Sequence, residues 1–136
     1  MTRILLASHG RLADGMRDSL TMIIGPVDAL ESFCAYTTPG EDVPQEVRQY
    51  VEGIDPDDEL LVVTDLFGGS ITNEFQRYLG TPGLHIVAGM NLALVLELVT
   101  GRDRPVKDLL SDVITNARSA IRCLEPTTEV LAAEDF

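Results

Sequence analysis

The stretch Ile4-Leu5-Leu6-Ala7-Ser8-His9-Gly10 reads as an apolar strand that ends on small residues and turns into a helix beginning near Leu12. An unalternating apolar run of this length suits a strand covered on both faces, as in a parallel sheet flanked by helices. The turn then sets an imidazole at the end of a strand, where open parallel sheets hold their ligands. A second stretch has the same form: Leu60-Leu61-Val62-Val63-Thr64 runs into Asp65-Leu66-Phe67-Gly68-Gly69-Ser70. Two strand ends thus carry a histidine, a carboxylate and a glycine turn.

Other apolar runs of strand length lie at Leu30 to Tyr36 and Leu84 to Ala88, beside Arg3 to Ala7 and Glu59 to Thr64. Between and after them come segments with helical spacing: Leu12 to Ile24, with Met16, Leu20, Ile23 and Ile24 on one side, then Val43 to Val51, Thr72 to Leu79 and Asn91 to Val99. A last helix is predicted from Val106 to Ile121, with Leu109, Leu110, Val113, Ile114 and Ala117 facing inward. Gly25-Pro26 is placed to stop the first helix, and Gly80 or Gly83 the third. The alternation is βα throughout.

The 136 residues suit one domain with a real core. A net charge of −12, from 10 basic and 22 acidic residues, argues against binding a nucleic-acid backbone or an anionic membrane surface. No stretch approaches a membrane span, and Met1 leads straight into a strand without a signal-like segment, so a cytoplasmic protein is expected. Cys34 and Cys123 have no metal or CxxC spacing and are read as buried, reduced thiols.

If the first and third strands are neighbours, Asp65 reaches the His9 ring. A carboxylate on one ring nitrogen fixes the tautomer, frees the lone pair of the other as a nucleophile, and stabilises the cationic ring formed on attack. Asp65 also fits a helix N-cap, but Ser70 is an equally good cap for a helix near Thr72, which releases Asp65. Gly68-Gly69-Ser70 lacks the spacing of the nucleotide-binding glycine loops. Its glycines nevertheless allow close approach of backbone N–H groups to an oxyanion, and Ser70 adds a hydroxyl, a cradle for a phosphoryl group.

Four motifs together, Ser8-His9-Gly10, Pro39-Gly40-Glu41, Asp65 to Ser70 and Ala88-Gly89-Met90-Asn91-Leu92, resemble the IIA component of the mannose/fructose/sorbose family of the bacterial phosphoenolpyruvate-dependent sugar phosphotransferase system. The resemblance covers nearly the whole chain. It implies that the histidine matching His9 takes a phosphoryl group on Nε2 from the phosphocarrier HPr and passes it to the IIB component. Asp65 then orients the ring through Nδ1, Ser70 lies near the phosphoryl oxygens, and the membrane is met only indirectly, through the IIC/IID permease. The expected fold is α/β: an open, doubly wound sheet with a parallel four-stranded core in the order 2-1-3-4, and helices on both faces. Residues 1–125 form the IIA domain, and 126–136 an acidic tail or an exchanged edge strand of the homodimer that the family forms, with Thr127 to Leu131 its only candidate. Ile71 stands where the family often has proline, and the chain ends at Phe136 like a free-standing IIA.

Asn91 is read as an N-cap of the fourth helix, with a contact to the site rim as the alternative. His85 is read as structural, with no acid or second ligand around it. With two histidines in the chain, no zinc site and no cofactor are expected. Arg11 either anchors a phosphoryl oxygen or is solvated; Thr64 and Phe67 flank the carboxylate and pack, with Phe67 also offering an apolar contact to a partner. The chemistry expected is that of a phosphotransferase. Alternatives are a phosphocarrier for dihydroxyacetone phosphorylation, a regulatory phosphoprotein, and a flavodoxin-like nucleotide module, whose flavin form is disfavoured by 5% aromatic content without Trp.

Overall fold

The computed structural model describes residues 1–126. Its elements alternate: β1 (Thr2–His9), α1 (Leu12–Ile24), β2 (Leu30–Ala35), α2 (Val43–Glu52), β3 (Glu59–Thr64), α3 (Ser70–Gln76), β4 (Leu84–Ala88), α4 (Leu92–Thr100) and α5 (Val106–Ser119). The four strands form one parallel sheet in the order β2-β1-β3-β4, as expected.

Strand parity sorts the core into two layers. Ile4, Leu6, Leu61 and Val63 point to the face covered by α1, α4 and α5, packing with Leu20, Leu94, Leu98, Leu109 and Val113. Leu5, Ala7, Leu60 and Val62 point to the other face, against Val43, Val47 and Val51 of α2 and Ile71 and Phe75 of α3. Both sets are fully buried in β1 and β3, which is why neither strand alternates in sequence. Ile71, the departure from the family pattern, is one of the anchors that seat α3.

Several boundaries differ from those predicted. The first strand, read as Arg3 to Ala7, runs on to His9, because Ser8 and His9 stay in register with Cys34 and Ala35 of β2. The helix expected from Thr72 begins at Ser70 and ends at Gln76, not at a glycine. There the chain tightens into i→i−3 turns, with Tyr78, Leu79 and Thr81 donating to the carbonyls of Phe75, Gln76 and Tyr78. Gly25 does terminate α1, at φ 85°. Ile24, predicted to face inward, is exposed. Helix α5 stops at Ser119, leaving Ile121 exposed. Cys34 is half-buried and Cys123 exposed, so the expectation of two buried thiols is corrected. The proposed C-terminal strand at Thr127 to Leu131 lies outside the described residues.

Gly83 closes the turn into β4 at φ 84°, and a Cβ there would meet the Asp58 carbonyl oxygen at 2.5 Å. A positive φ and a backbone clash act together at this position. Gly83→Ala should therefore lower the unfolding free energy by about 2 kcal/mol, read as a shift in the urea midpoint at unchanged slope. A midpoint equal to wild type would show that the turn relaxes freely.

Candidate functional site

The strand order dictates where the site falls. Connections leave β1 toward β2 on one side and reach β3 and β4 on the other, so the crevice opens at the carboxyl ends of β1 and β3. Register pairs Ala7 with Thr64, which brings His9 and Asp65 side by side just beyond. Gly10, at φ 61°, turns the chain into α1 while its N–H donates to the Ala35 carbonyl at 2.9 Å. The buried Ser8 hydroxyl secures that turn, accepting from the Ala13 N–H at 2.8 Å and donating to the Gly10 carbonyl at 3.1 Å.

Asp65 Oδ2 accepts two hydrogen bonds from His9, from the backbone N–H and from ring Nδ1, both at 2.8 Å. An ionised carboxylate only accepts, so Nδ1 carries a proton, and in the neutral ring Nε2 keeps its lone pair. Nε2 lies 3.0 Å from Ser70 Oγ, which must therefore donate to it. The Asp65 side chain is 10% exposed and the His9 side chain 43%. The carboxylate is thus sheltered, while the imidazole edge is open to a partner. Burial pushes the Asp65 carboxyl up, but the His9 backbone N–H, the ring hydrogen bond and the ring's charge outweigh it and hold the group below its ordinary value.

Helix α3 ties the second strand end in place. The Thr72 hydroxyl donates to the Leu66 carbonyl at 2.7 Å and lies 2.7 Å from the buried Thr64 hydroxyl, bracing the 65–69 loop. Neither Asp65 nor Ser70 caps α3, correcting the expectation for Ser70: the N-cap is Gly69, without a side-chain cap bond. The Ser70 hydroxyl is free for Nε2 for that reason. Gly68 turns the loop at φ 79°. The Gly69 N–H is committed to the Leu66 carbonyl at 3.0 Å, so in this state Gly69 acts through its missing side chain. A Cβ there would stand 3.4 Å from His9 Cε1 and 3.1 Å from the Leu66 oxygen. Gly69→Ala should displace the ring by a few tenths of an ångström and slow its chemistry about tenfold while the fold persists, a loss measurable by quenched-flow.

Thr64 packs as expected, but Phe67 is 87% exposed and Leu66 61%, so Phe67 does not pack. Arg11 stands exposed at the N-cap of α1. Asn91 caps α4, its side-chain oxygen accepting from the Leu94 N–H at 2.9 Å. His85 does have an acid beside it, Glu59 Oε2 at 2.5 Å from Nε2, contrary to expectation, because β3 and β4 are neighbours. Among the described residues no cluster of His, Cys, Asp and Glu is arranged to hold a metal ion, and no helix is long and apolar enough to cross a membrane.

Two residues at the site were given no role from sequence: Tyr36, read as part of the second strand, and Glu41, quoted only within the Pro39-Gly40-Glu41 motif. Tyr36 follows β2 at φ 63°, its ring centroid 5.5 Å from that of His9 and its hydroxyl 2.9 Å from Ser70 Oγ. Glu41 holds it there: its carboxylate accepts the N–H groups of Tyr36, Thr37 and Thr38 at 3.1, 3.2 and 3.2 Å. The one available signal was a carboxylate directly after the Pro39-Gly40 turn.

An α/β sheet with a histidine, its carboxylate and a hydroxyl at the crevice is the framework of a phosphotransferase-system IIA protein. Residues 3–117 match the EIIA-man family model, PTS system fructose IIA component, and the chain belongs to that family. It is 26% identical to the fructose-specific EIIA component of Bacillus subtilis, over 98% of this chain and 94% of the relative. It is 32% identical to the sorbose-specific EIIA component of Klebsiella pneumoniae, over 73% of each. Among solved structures, the mannose/sorbose-specific IIA subunit of Enterococcus faecalis superposes with a TM-score of 0.76 at 28% identity, over 95% of this chain and 98% of that one.

Proposed function

We propose that this chain is a phosphoryl carrier in which His9 Nε2 accepts a phosphoryl group from phospho-HPr and hands it to a IIB component. The observation that carries the reading is the pair of contacts on one imidazole, Asp65 on Nδ1 and Ser70 on Nε2. The Nε2 lone pair attacks phosphorus as the donor's bond to phosphorus breaks and its electron pair returns to the donor. The ring becomes cationic, and the Asp65 carboxylate, already hydrogen-bonded to Nδ1–H, stabilises it without taking the proton. Ser70 turns its O–H from Nε2 to a phosphoryl oxygen, and Gly68 and Gly69 leave room for the group to approach. The same steps in reverse release it to IIB.

Leu66 and Phe67, exposed in the loop that follows Asp65, give a partner protein apolar surface near the point of transfer. In this role the protein works in the cytoplasm as a homodimer and reaches the membrane only through the IIC/IID permease, which holds the sugar. It is a phosphotransferase subunit without a cofactor. Incubation with phosphoenolpyruvate, enzyme I and HPr should raise the intact mass by one phosphoryl group, in an acid-labile, alkali-stable linkage. An unshifted mass overturns the reading.

A further inference from the structure

Tyr36 is built into the site by a cost the fold did not have to accept. A non-glycine residue in the left-handed region is unfavourable and persists only where the surroundings hold it. Here Glu41 holds it through three backbone N–H groups, and the result is a phenol directed at Ser70 and a ring set against the imidazole. With the ring in its neutral, nucleophilic form, the hydrogen bonds have one consistent direction. Asp65 accepts from Nδ1–H, so Nε2 accepts; Ser70 spends its single proton on Nε2, so the Ser70 oxygen must accept from the Tyr36 O–H. Three donors, Tyr36, Ser70 and Nδ1–H, are aligned in one chain that ends on a carboxylate.

We propose that Tyr36 is a positioning residue for phosphoryl transfer, whose phenol fixes the Ser70 oxygen so that the serine proton can move from Nε2 to the phosphoryl group. This rests on His9 being the phosphoryl acceptor. When Nε2 bonds to phosphorus, its lone pair is gone and Ser70 must find a new acceptor. The Tyr36 O–H stays on the Ser70 oxygen, so the hydroxyl pivots about a fixed point and its proton meets a phosphoryl oxygen. It also polarises the serine O–H, making it a stronger donor as charge moves onto the phosphoryl oxygens. Nothing else bonded to the Ser70 hydroxyl among the described residues except His9 has this place.

Rapid-quench measurement of transfer from phospho-HPr to Tyr36→Phe, Ser70→Ala and the double variant separates this role from mere packing. Tyr36→Phe keeps the ring and removes one oxygen, and an unchanged thermal midpoint confirms that the loop is intact. It should slow transfer about tenfold at saturating phospho-HPr. In the Ser70→Ala background the same change should alter the rate less than about twofold, since the phenol acts through the serine. Wild-type speed in Tyr36→Phe, or equal slowing in both backgrounds, overturns the inference. Failure of the wild type to take label at His9 would instead overturn the carrier reading beneath it.

Discussion

His9→Ala is expected to abolish phosphoryl acceptance completely while leaving the chain folded. The nucleophilic atom is lost outright, and no second imidazole can substitute: His85 sits on β4, engaged with Glu59 on the adjoining strand. Stability should change little. The His9 side chain is 43% exposed, and the backbone N–H that bonds Asp65 survives the substitution. An exposed side chain away from the packed layers is worth at most about 1 kcal/mol here. Intact mass after incubation with the phosphorylating proteins reads the first effect, and the urea midpoint the second. Any mass gain in the variant would place the acceptor elsewhere.

The second large effect is expected at Asp65. Asp65→Ala removes the acceptor for Nδ1–H and the charge that stabilises the cationic ring, so transfer should slow about a hundredfold in both directions. Asp65→Asn keeps an oxygen that can accept from His9 but not the charge, and should fall between wild type and alanine. Rates equal to wild type in both variants would leave Asp65 with a structural role alone. The pH dependence follows from the lowered carboxyl. A group whose folded value lies below its ordinary 3.8 stabilises the fold fully above that value and loses its contribution as pH falls through the folded value. The stability gap between wild type and Asp65→Asn should therefore hold at neutral pH and close progressively below pH 3.8.

The strands were legible because burial on both faces leaves an unbroken apolar run, as in Leu60 to Val63, that no amphipathic helix shows. His9 and Asp65 could be paired from sequence because each directly follows such a run, and strand ends are easily located. What lay beyond reach depends on geometry across loops. Tyr36 follows the apolar β2 and looks like its continuation; only its left-handed backbone and the Glu41 carboxylate reveal where the phenol goes. The start of α3 was misplaced because Ser70 is a favoured cap, yet the buried Ile71 and Thr72 draw the helix back to begin at Ser70. Phe67 was expected to pack because aromatic residues usually do, yet it stands 87% exposed in the loop after Asp65. Likewise the contact of His85 with Glu59 exists only once β3 and β4 are known to adjoin.

The strand bearing His9 lies between two others, hydrogen-bonded to β2 on one side and β3 on the other. The amides of its interior, Leu5 to Ala7, exchange with solvent only when the sheet itself comes apart, so their opening energy is close to that of global unfolding. Thermal motion at the imidazole is therefore confined to torsions of the side chain about a stationary Cα. In the proposed role two different proteins meet the same nitrogen in succession, and each docks against a site whose backbone holds its place between the visits.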